Sequence, residues 1–149
     1  MTSEHITRLQ ETPVFGGLRA DALEFLVDAS KQMTFPAGTL VIREGDLGDK
    51  IYVIEAGRVE VVKALGDDER VLKVLGPGEC FGEMALLDIS PRSATVRAME
   101  DCRALEIPAA ALFKLYERDL EQFTLLTLNM GREVSRRLRE TERMLSRRA

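Results

Sequence analysis

Residues 81–98 read FGEMALLDISPRSATVRA and place a glycine and a carboxylate at the start of an apolar segment. Arg92 follows nine residues after Glu83 and precedes a predicted β-strand. Charges beside apolar residues are costly unless they are paired or hold a ligand. Two interpretations are open at this point. Either Glu83 and Arg92 pair with each other and fix the loop, or together they hold a bound molecule.

The residue types in this stretch suit an anion with a neighbouring hydroxyl group. A helix N-terminus offers unpaired N–H groups to an anion, and Gly82 lets the backbone approach a ligand closely. Glu83 would repel phosphate, but it can accept a hydrogen bond from a hydroxyl beside the phosphate. Arg92 is permanently charged and forked, so it matches two phosphate oxygens, and Ser93 adds a donor. A ribose phosphate meets these requirements.

The region from about 31 to 107 consists of short β-rich runs separated by turn residues. Gly, Pro and Asp recur between the runs, where each favours a turn for its own conformational reason. Many short strands at this spacing predict a closed or sandwiched antiparallel sheet. The run IYVI at 51–54 is apolar throughout and is expected to be covered on both faces. In the run RVEVVKA, Val59 and Val61 are expected to share one face.

Helices are predicted on both sides of the β-rich region. Before it, apolar residues recur at helical spacing; they are Leu18, Ala22, Phe25, Leu26 and Ala29. After it, Pro108 suits the first turn of a short helix, and a long helix follows. An apolar stripe runs along the long helix through Phe123, Leu126, Met130, Val134, Leu138 and Leu145. The stripe either packs on the chain's own β-rich region or forms a dimer seam, and the sequence leaves both possibilities open.

The composition is that of an ordinary folded domain, with 45% hydrophobic and 31% charged residues in a chain of 149. No apolar run approaches the ~20 residues that a membrane span needs, and the N-terminus lacks the pattern of a secretory signal. Residues 131–149 hold seven arginines and three glutamates and so carry a charge of +4. Because the net charge of the whole chain is −4, residues 1–130 carry −8. An acidic body argues against direct binding of nucleic acid.

Few residues are available for redox, metal or acid–base chemistry. Cys80 and Cys102 are the only cysteines and are expected to be buried thiols in a reducing cytoplasm. The only histidine, His5, is expected to lie on the surface outside the β-rich region. No Ser/His/Asp set, Cys–His pair or metal cluster can be assembled, so the sequence predicts neither an enzyme nor a bound metal.

The stretch 81–98 resembles the phosphate-binding cassette of the cyclic nucleotide-binding domain family. The first part of that pattern is an apolar residue, Gly-Glu, a variable residue, a small residue and an aliphatic residue. A short loop follows, and the second part is Arg, a small residue, Ala and a β-strand. This chain reads Phe81-Gly82-Glu83-Met84-Ala85-Leu86, and then Arg92-Ser93-Ala94-Thr95-Val96. A second stretch, VIREGDLGDKIYVIEAG at 41–57, also resembles the family, with glycines 45, 48 and 57 at the expected turns. The resemblance extends from about residue 18 to the end of the long helix.

The resemblance implies a mainly β fold with flanking helices. The expected architecture is an eight-stranded antiparallel β jelly-roll barrel with N-terminal helices and a C-terminal helical lid. The implied organisation is an N-terminal helical segment, 1–17, and a cyclic nucleotide-binding domain, 18–149. Within that domain the barrel would occupy about 31–107 and the C-terminal helices about 108–147.

The resemblance also implies which residues bind a nucleotide. Arg92 would pair with the exocyclic phosphate oxygens, and Glu83 would accept from the ribose 2′-hydroxyl. The remaining expected contacts are Phe81, Gly82, Met84, Ala85, Ser93 and Ala94, with Val61 and Leu72 against the base. In the family, Thr after the cassette Arg accompanies cyclic GMP, and Ala or Ser accompanies cyclic AMP, so Ser93 favours cyclic AMP. Candidates for the lid residue that contacts the base are Asn129, Arg132 and Arg136.

The predicted function is that of a cytoplasmic sensor for cAMP, or less readily cGMP, whose C-terminal helix closes over the base. The helix would signal to a fused effector, a protein partner or a second copy of the chain. Two alternatives come from other classes. One is an interaction scaffold with a degenerate pocket, and the other is the effector-binding half of a catabolite-activator-type transcription factor.

Overall fold

The computed structural model describes residues 2–83 and 90–148. Helix α1 (Thr2–Glu11), a 3-10 turn (Pro13–Phe15) and helix α2 (Ala20–Asp28) precede the strands. The strands are β1 (Lys31–Phe35), β2 (Leu40–Ile42), β3 (Lys50–Ala56), β4 (Val59–Leu65), β5 (Asp68–Leu75), β6 (Cys80–Phe81), β7 (Thr95–Ala98) and β8 (Cys102–Pro108). Helices α3 (Ala109–Arg118) and α4 (Leu120–Arg148) follow them.

The strands form two four-stranded sheets in the orders β1-β8-β3-β6 and β2-β7-β4-β5. Every strand pair is antiparallel. The predicted mainly β fold of antiparallel jelly-roll type with flanking helices is therefore confirmed. The strands extend from residue 31 to 108, where the sequence places the barrel. The division of the chain into 1–17 and 18–149 stays a prediction.

Strand β3 separates two apolar cores, as the IYVI run predicts. Ile51 and Val53 face a cluster formed with the helices, whereas Tyr52 and Ile54 face a second cluster between the two sheets. All four side chains are buried, because successive residues of a strand point to opposite faces and both faces are covered. The second cluster forms the base of the cavity described below.

Helix α1 contacts the first sheet through His5, whose Nδ1 lies 2.5 Å from Oε2 of Glu55 on β3. The sequence predicts that His5 lies on the surface, and this prediction is wrong because the side chain is mostly buried. The packing of α1 against the sheet covers the imidazole, which sequence periodicity does not reveal. Both cysteines are free and buried, as predicted.

Helix α4 buries its apolar stripe against the body of the protein in its first half. Leu126 and Met130 are buried, but Leu138 and Leu145 are 58% and 63% exposed. Two buried polar side chains fix the first half, since Asn129 Nδ2 donates to Gly16 O at 2.8 Å and Gln122 Oε1 accepts from Arg19 N at 2.7 Å. Among the helices that the structure describes, none has the length and apolar character to cross a membrane.

Candidate functional site

A cavity of 420 Å³ lies between the sheet β2-β7-β4-β5 and the second half of α4. The predicted contacts that line it are Val61, Leu72, Phe81, Gly82, Glu83, Arg92, Ser93 and Ala94. Met84 and Ala85 lie outside the described residues. Residues from distant parts of the sequence therefore meet around one space, and their side chains determine what it can hold.

Arg92 is fixed immediately before β7 by its backbone and by its guanidinium. Its N–H donates to Asp46 O at 2.8 Å, and its carbonyl accepts from Gly45 N at 2.8 Å. Nη1 donates to Gly82 O at 2.7 Å, and Nη2 donates to Lys50 O at 2.9 Å. The residue is only 8% exposed, and burial lowers the pKa of the guanidinium from its ordinary value. Arginine nevertheless stays charged in proteins, so the cavity wall carries a fixed cation.

Two glycines make room for this guanidinium. A Cβ on Gly48 would lie 2.0 Å from Arg92 Nε, which leaves no space for a side chain. Gly82 has φ of +92°, and a Cβ there would lie 2.8 Å from Lys50 O and 3.0 Å from Arg92 Nη1. Gly82 therefore meets a conformational requirement and a spatial one at once. The position of Arg92 depends on both glycines.

Glu83 is completely buried and is paired with Arg137 of α4. Arg137 Nη1 donates to Glu83 Oε1, and Nη2 donates to Cys80 O at 3.1 Å. The other oxygen, Oε2, has the Cys80 Sγ at 3.9 Å. Burial, and then the neighbouring Glu83 charge, raise the pKa of the Cys80 thiol well above its ordinary value. Within the described residues, the partner of Glu83 is thus Arg137, and the pair with Arg92 that the sequence left open does not form.

The lid residues proposed from sequence do not line the cavity. Asn129 bonds to Gly16, Arg132 donates to Asn129 Oδ1 at 3.4 Å, and Arg136 pairs with Glu133 and Glu140. The contribution of α4 to the cavity comes from Val134, Arg137, Leu138 and Thr141. The spacing of 134, 138 and 141 continues the apolar stripe, and this signal identifies the correct helical face. The pairing of Arg137 with Glu83 is a tertiary contact without a sequence signal.

The rest of the cavity wall is largely apolar. Besides the predicted contacts, the sheet contributes Ile42, Leu75 and Val96. Behind Phe81 the ring of Tyr52 stacks at a centroid distance of 5.0 Å, which holds the Phe81 ring in place. Burial, and then the nearby Glu106, raise the pKa of Tyr52 to about 12, so it is neutral at physiological pH. The cavity thus combines a charged end with an apolar surface.

The charges lining the cavity are Arg92, Arg137 and Lys73 against Glu83. Pairing of Arg137 with Glu83 leaves an excess of positive charge, which suits a small anion with an apolar part. Among the residues that the structure describes, no group of His, Cys, Asp and Glu has the arrangement of a metal site. The geometry therefore indicates a binding site for an organic anion.

Comparison with known proteins identifies the kind of domain that carries this cavity. The family model described as cyclic nucleotide-binding domain matches residues 32–119. The cyclic AMP receptor protein of Thermus thermophilus is 35% identical over 136 residues, which cover 90% of this chain and 61% of that protein. A cAMP-dependent protein kinase regulatory subunit of Pyricularia oryzae is 36% identical over 107 residues, which cover 72% and 27% of the two chains.

Solved structures agree with these relatives. The catabolite activator protein of Thermus thermophilus superposes with a TM-score of 0.78 at 34% identity, covering 91% of this chain and 62% of that one. A cyclic nucleotide-binding domain from Methylobacillus flagellatus has a TM-score of 0.85 at 23% identity, and the superposition covers 98% of this chain and 83% of that one. The second likeness is one of fold alone. The chain spans less than two thirds of the length of the two curated relatives it is compared with.

Proposed function

The chain belongs to the cyclic nucleotide-binding domain family, and from this premise we propose that it senses cyclic AMP in the cavity under α4. The observation that carries the proposal is the buried guanidinium of Arg92. It lines the cavity and donates to two backbone carbonyls, but among the described residues no carboxylate is paired with it. A buried charge of this kind is stabilised by an anion that supplies the missing countercharge.

The nucleotide would lie with its cyclic phosphate at Arg92 and Ser93. Glu83 Oε1 is already bonded to Arg137, whereas the contact of Oε2 among the described residues is the distant Cys80 thiol, and in this proposal Oε2 accepts the ribose 2′-hydroxyl. The base would pack on the apolar wall that includes Val61 and Leu72. Each part of the ligand thus has a wall of matching chemistry.

Binding would act on α4 through the residues that this helix contributes to the cavity. Arg137 joins the helix to Glu83, and Leu138 and Thr141 continue the same face. A ligand shifts the helix only by binding one arrangement better than another. The signal would then pass to a fused effector or to a partner, by analogy with relatives that are a protein kinase regulatory subunit and a transcriptional regulator.

Arg92→Lys is expected to weaken cAMP binding by about 10- to 100-fold, because the ammonium loses the fork that serves phosphate and both carbonyls. Calorimetric titration measures the change. Arg97→Lys is the matched control, since Arg97 lies on β7 and pairs outside the cavity with Glu60 and Glu69. Unchanged affinity in Arg92→Lys would remove this residue from the ligand site.

Glu83→Gln is expected to weaken cAMP by roughly 10-fold and 2′-deoxy-cAMP much less, because the neutral amide accepts a weaker hydrogen bond from the 2′-hydroxyl. Competition of both nucleotides against a fluorescent analogue gives the two ratios. An equal loss for both ligands would show that Glu83 acts only by holding Arg137. Ser93 favours cAMP over cGMP, and the same competition with cGMP measures that preference.

A second copy of the chain is the proposed partner of the exposed half of α4. Leu138 and Leu145 are exposed and seven residues apart, the spacing at which helices pack along a seam. We expect light scattering to give twice 16.7 kDa, and we expect Leu145→Glu to give the monomer mass. Arg143→Glu is the control, because Arg143 is exposed and lies two residues before Leu145, about 200° around the helix and so on the side opposite the seam. A monomer with and without nucleotide would exclude this dimer.

The proposal includes a regulatory role without catalysis and a cytoplasmic location. The relatives described above are a receptor protein and a kinase regulatory subunit, and two free buried thiols suit a reducing compartment. The scaffold alternative predicts no rise in melting temperature with nucleotide. The transcription-factor alternative is favoured by the first relative named above, of which this chain covers 61%.

A further inference from the structure

The segment 92–95, which carries the proposed phosphate contacts, is held by side chains that do not line the cavity. Lys63 of β4 donates from Nζ to Ser93 O at 2.6 Å, although 30 residues separate the two. Glu44, which follows β2, donates its backbone N–H to Thr95 Oγ1 at 3.0 Å. Among the described residues that line the cavity, neither Lys63 nor Glu44 is found. Both therefore act on the segment itself.

Lys63 is in turn held in place by Glu44. Glu44 Oε2 lies 3.2 Å from Lys63 Nζ, and Glu44 Oε1 accepts from Ala64 N at 3.1 Å. The hydrogen bond from Ala64 N, and then that from Lys63, lower the pKa of Glu44, so its carboxylate is charged at physiological pH. One carboxylate thus contacts two neighbouring residues of β4 and keeps the ammonium beside the Ser93 carbonyl.

The hydrogen bond to Ser93 O fixes the orientation of a whole peptide unit. The C=O of Ser93 and the N–H of Ala94 belong to one planar trans peptide, in which they point in opposite directions. A charged donor on the carbonyl therefore also fixes the direction of the Ala94 N–H. Both residues line the cavity beside Arg92. Rotation of this peptide would change which donors they offer to a phosphate oxygen.

The energetics favour a role in binding over a role in stability. The side chains of Lys63 and Glu44 are 41% and 30% exposed, and ion pairs in such positions contribute little to the free energy of unfolding. A hydrogen bond from an ammonium to a carbonyl is stronger and has a defined geometry. Because a phosphate contact requires donors at hydrogen-bond distance, a small rotation of the peptide after Ser93 is enough to weaken it.

We propose that Lys63 and Glu44 form a positioning pair for the phosphate site, which directs the donors of residues 93 and 94 at one exocyclic oxygen of the cyclic phosphate. The inference rests on the proposed function of the cavity. Arg92 serves the phosphate independently of this pair, because its guanidinium is held by two backbone carbonyls. Loss of the pair would therefore weaken the contact to one oxygen and leave the guanidinium in place.

The test compares cAMP with the two diastereomers of its phosphorothioate, in each of which sulfur replaces one exocyclic oxygen. Sulfur is a weak hydrogen-bond acceptor, so each diastereomer reports on one of the two oxygens. Lys63→Met should weaken cAMP by roughly 10-fold, but the diastereomer whose sulfur faces residues 93 and 94 by about 3-fold or less, because that contact is already weak. The affinity ratio of the two diastereomers should therefore change by about 3-fold. A general loss of structure or of positive charge would weaken all three ligands equally, since they carry the same charge.

Three further variants complete the experiment. Lys63→Arg keeps a charged donor and should retain the wild-type ratio. Glu44→Gln should change the ratio in the same direction as Lys63→Met, and the double variant should change it no further, because both residues act through one contact. Arg70→Met is the matched control. Arg70 is exposed and pairs directly with Lys63 in the ladder of β4 and β5, and among the hydrogen bonds of the described residues none joins it to Ser93.

Calorimetric titration gives the affinities, after far-ultraviolet circular dichroism has checked that each variant is folded. An unchanged diastereomer ratio in Lys63→Met, or an equal change in Arg70→Met, would overturn the inference. Failure of wild type to bind cAMP and both phosphorothioates would instead overturn the proposed function.

Discussion

Arg137→Met is expected to lower the free energy of unfolding of the nucleotide-free protein by about 3 kcal/mol, because it leaves a buried carboxylate without its partner. Glu83 is completely buried, and Arg137 is the residue of α4 that neutralises it. Methionine keeps the apolar stem and removes the charge, so the loss reports the ion pair more than the packing. Urea denaturation followed by circular dichroism gives the number.

The control for this prediction is Arg139→Met, which removes an exposed charge from the same helix and should change stability by less than about 0.5 kcal/mol. The double variant Glu83→Gln with Arg137→Met should recover much of the loss, because neither partner is then left charged and buried. A cost below about 1 kcal/mol for Arg137→Met, or a double variant as unstable as the two single changes added together, would contradict the assigned pair.

Gly48→Ala is expected to weaken nucleotide binding by roughly 30-fold or more while the protein stays folded. The new methyl group would lie 2.0 Å from Arg92 Nε and 2.3 Å from Cζ, so the guanidinium must leave its place. It would then lose its bonds to Gly82 O and Lys50 O, and the phosphate would lose its fork. Titration calorimetry gives the affinity, and far-ultraviolet circular dichroism checks the fold.

Gly76→Ala is the matched control for Gly48→Ala. A Cβ at Gly76 has the Arg58 Cγ, 3.9 Å away, as its nearest neighbour, which is an ordinary contact. This variant should bind nucleotide as wild type does. If Gly48→Ala bound equally well, the position of Arg92 described above would not be the one that holds phosphate.

The architecture was largely predictable, because local chemistry and hydrophobic pattern agree in this chain. The fully apolar run 51–54 indicates a strand covered on both faces, and β3 does lie between two cores. The turn residues between the β-rich runs indicate many short antiparallel strands, and two sheets are found. The expectation for His5 failed, because its burial depends on where α1 packs against β3.

Many of the residues that line the cavity were predictable from the sequence, but their network of contacts was not. The cassette pattern identified Glu83 and Arg92, and both line the cavity. The pattern did not reveal that Glu83 pairs with Arg137, since 54 residues separate them and nothing in the spacing links them. The lid candidates at 129, 132 and 136 do not line the cavity, because the period of the α-helix places them on other faces than residues 134, 138 and 141.

The succession of short strands along the chain, the glycine turns and the charged cassette follow from the amino-acid sequence alone, because each depends on residue type and on neighbours a few positions away. The partners of the buried charges are decided by tertiary structure. So is the hydrogen bond that joins Lys63 to the carbonyl of Ser93. The physical reason is that a buried charge is stabilised by whichever opposite charge or dipole the completed fold places beside it, and that placement is a property of distance in space.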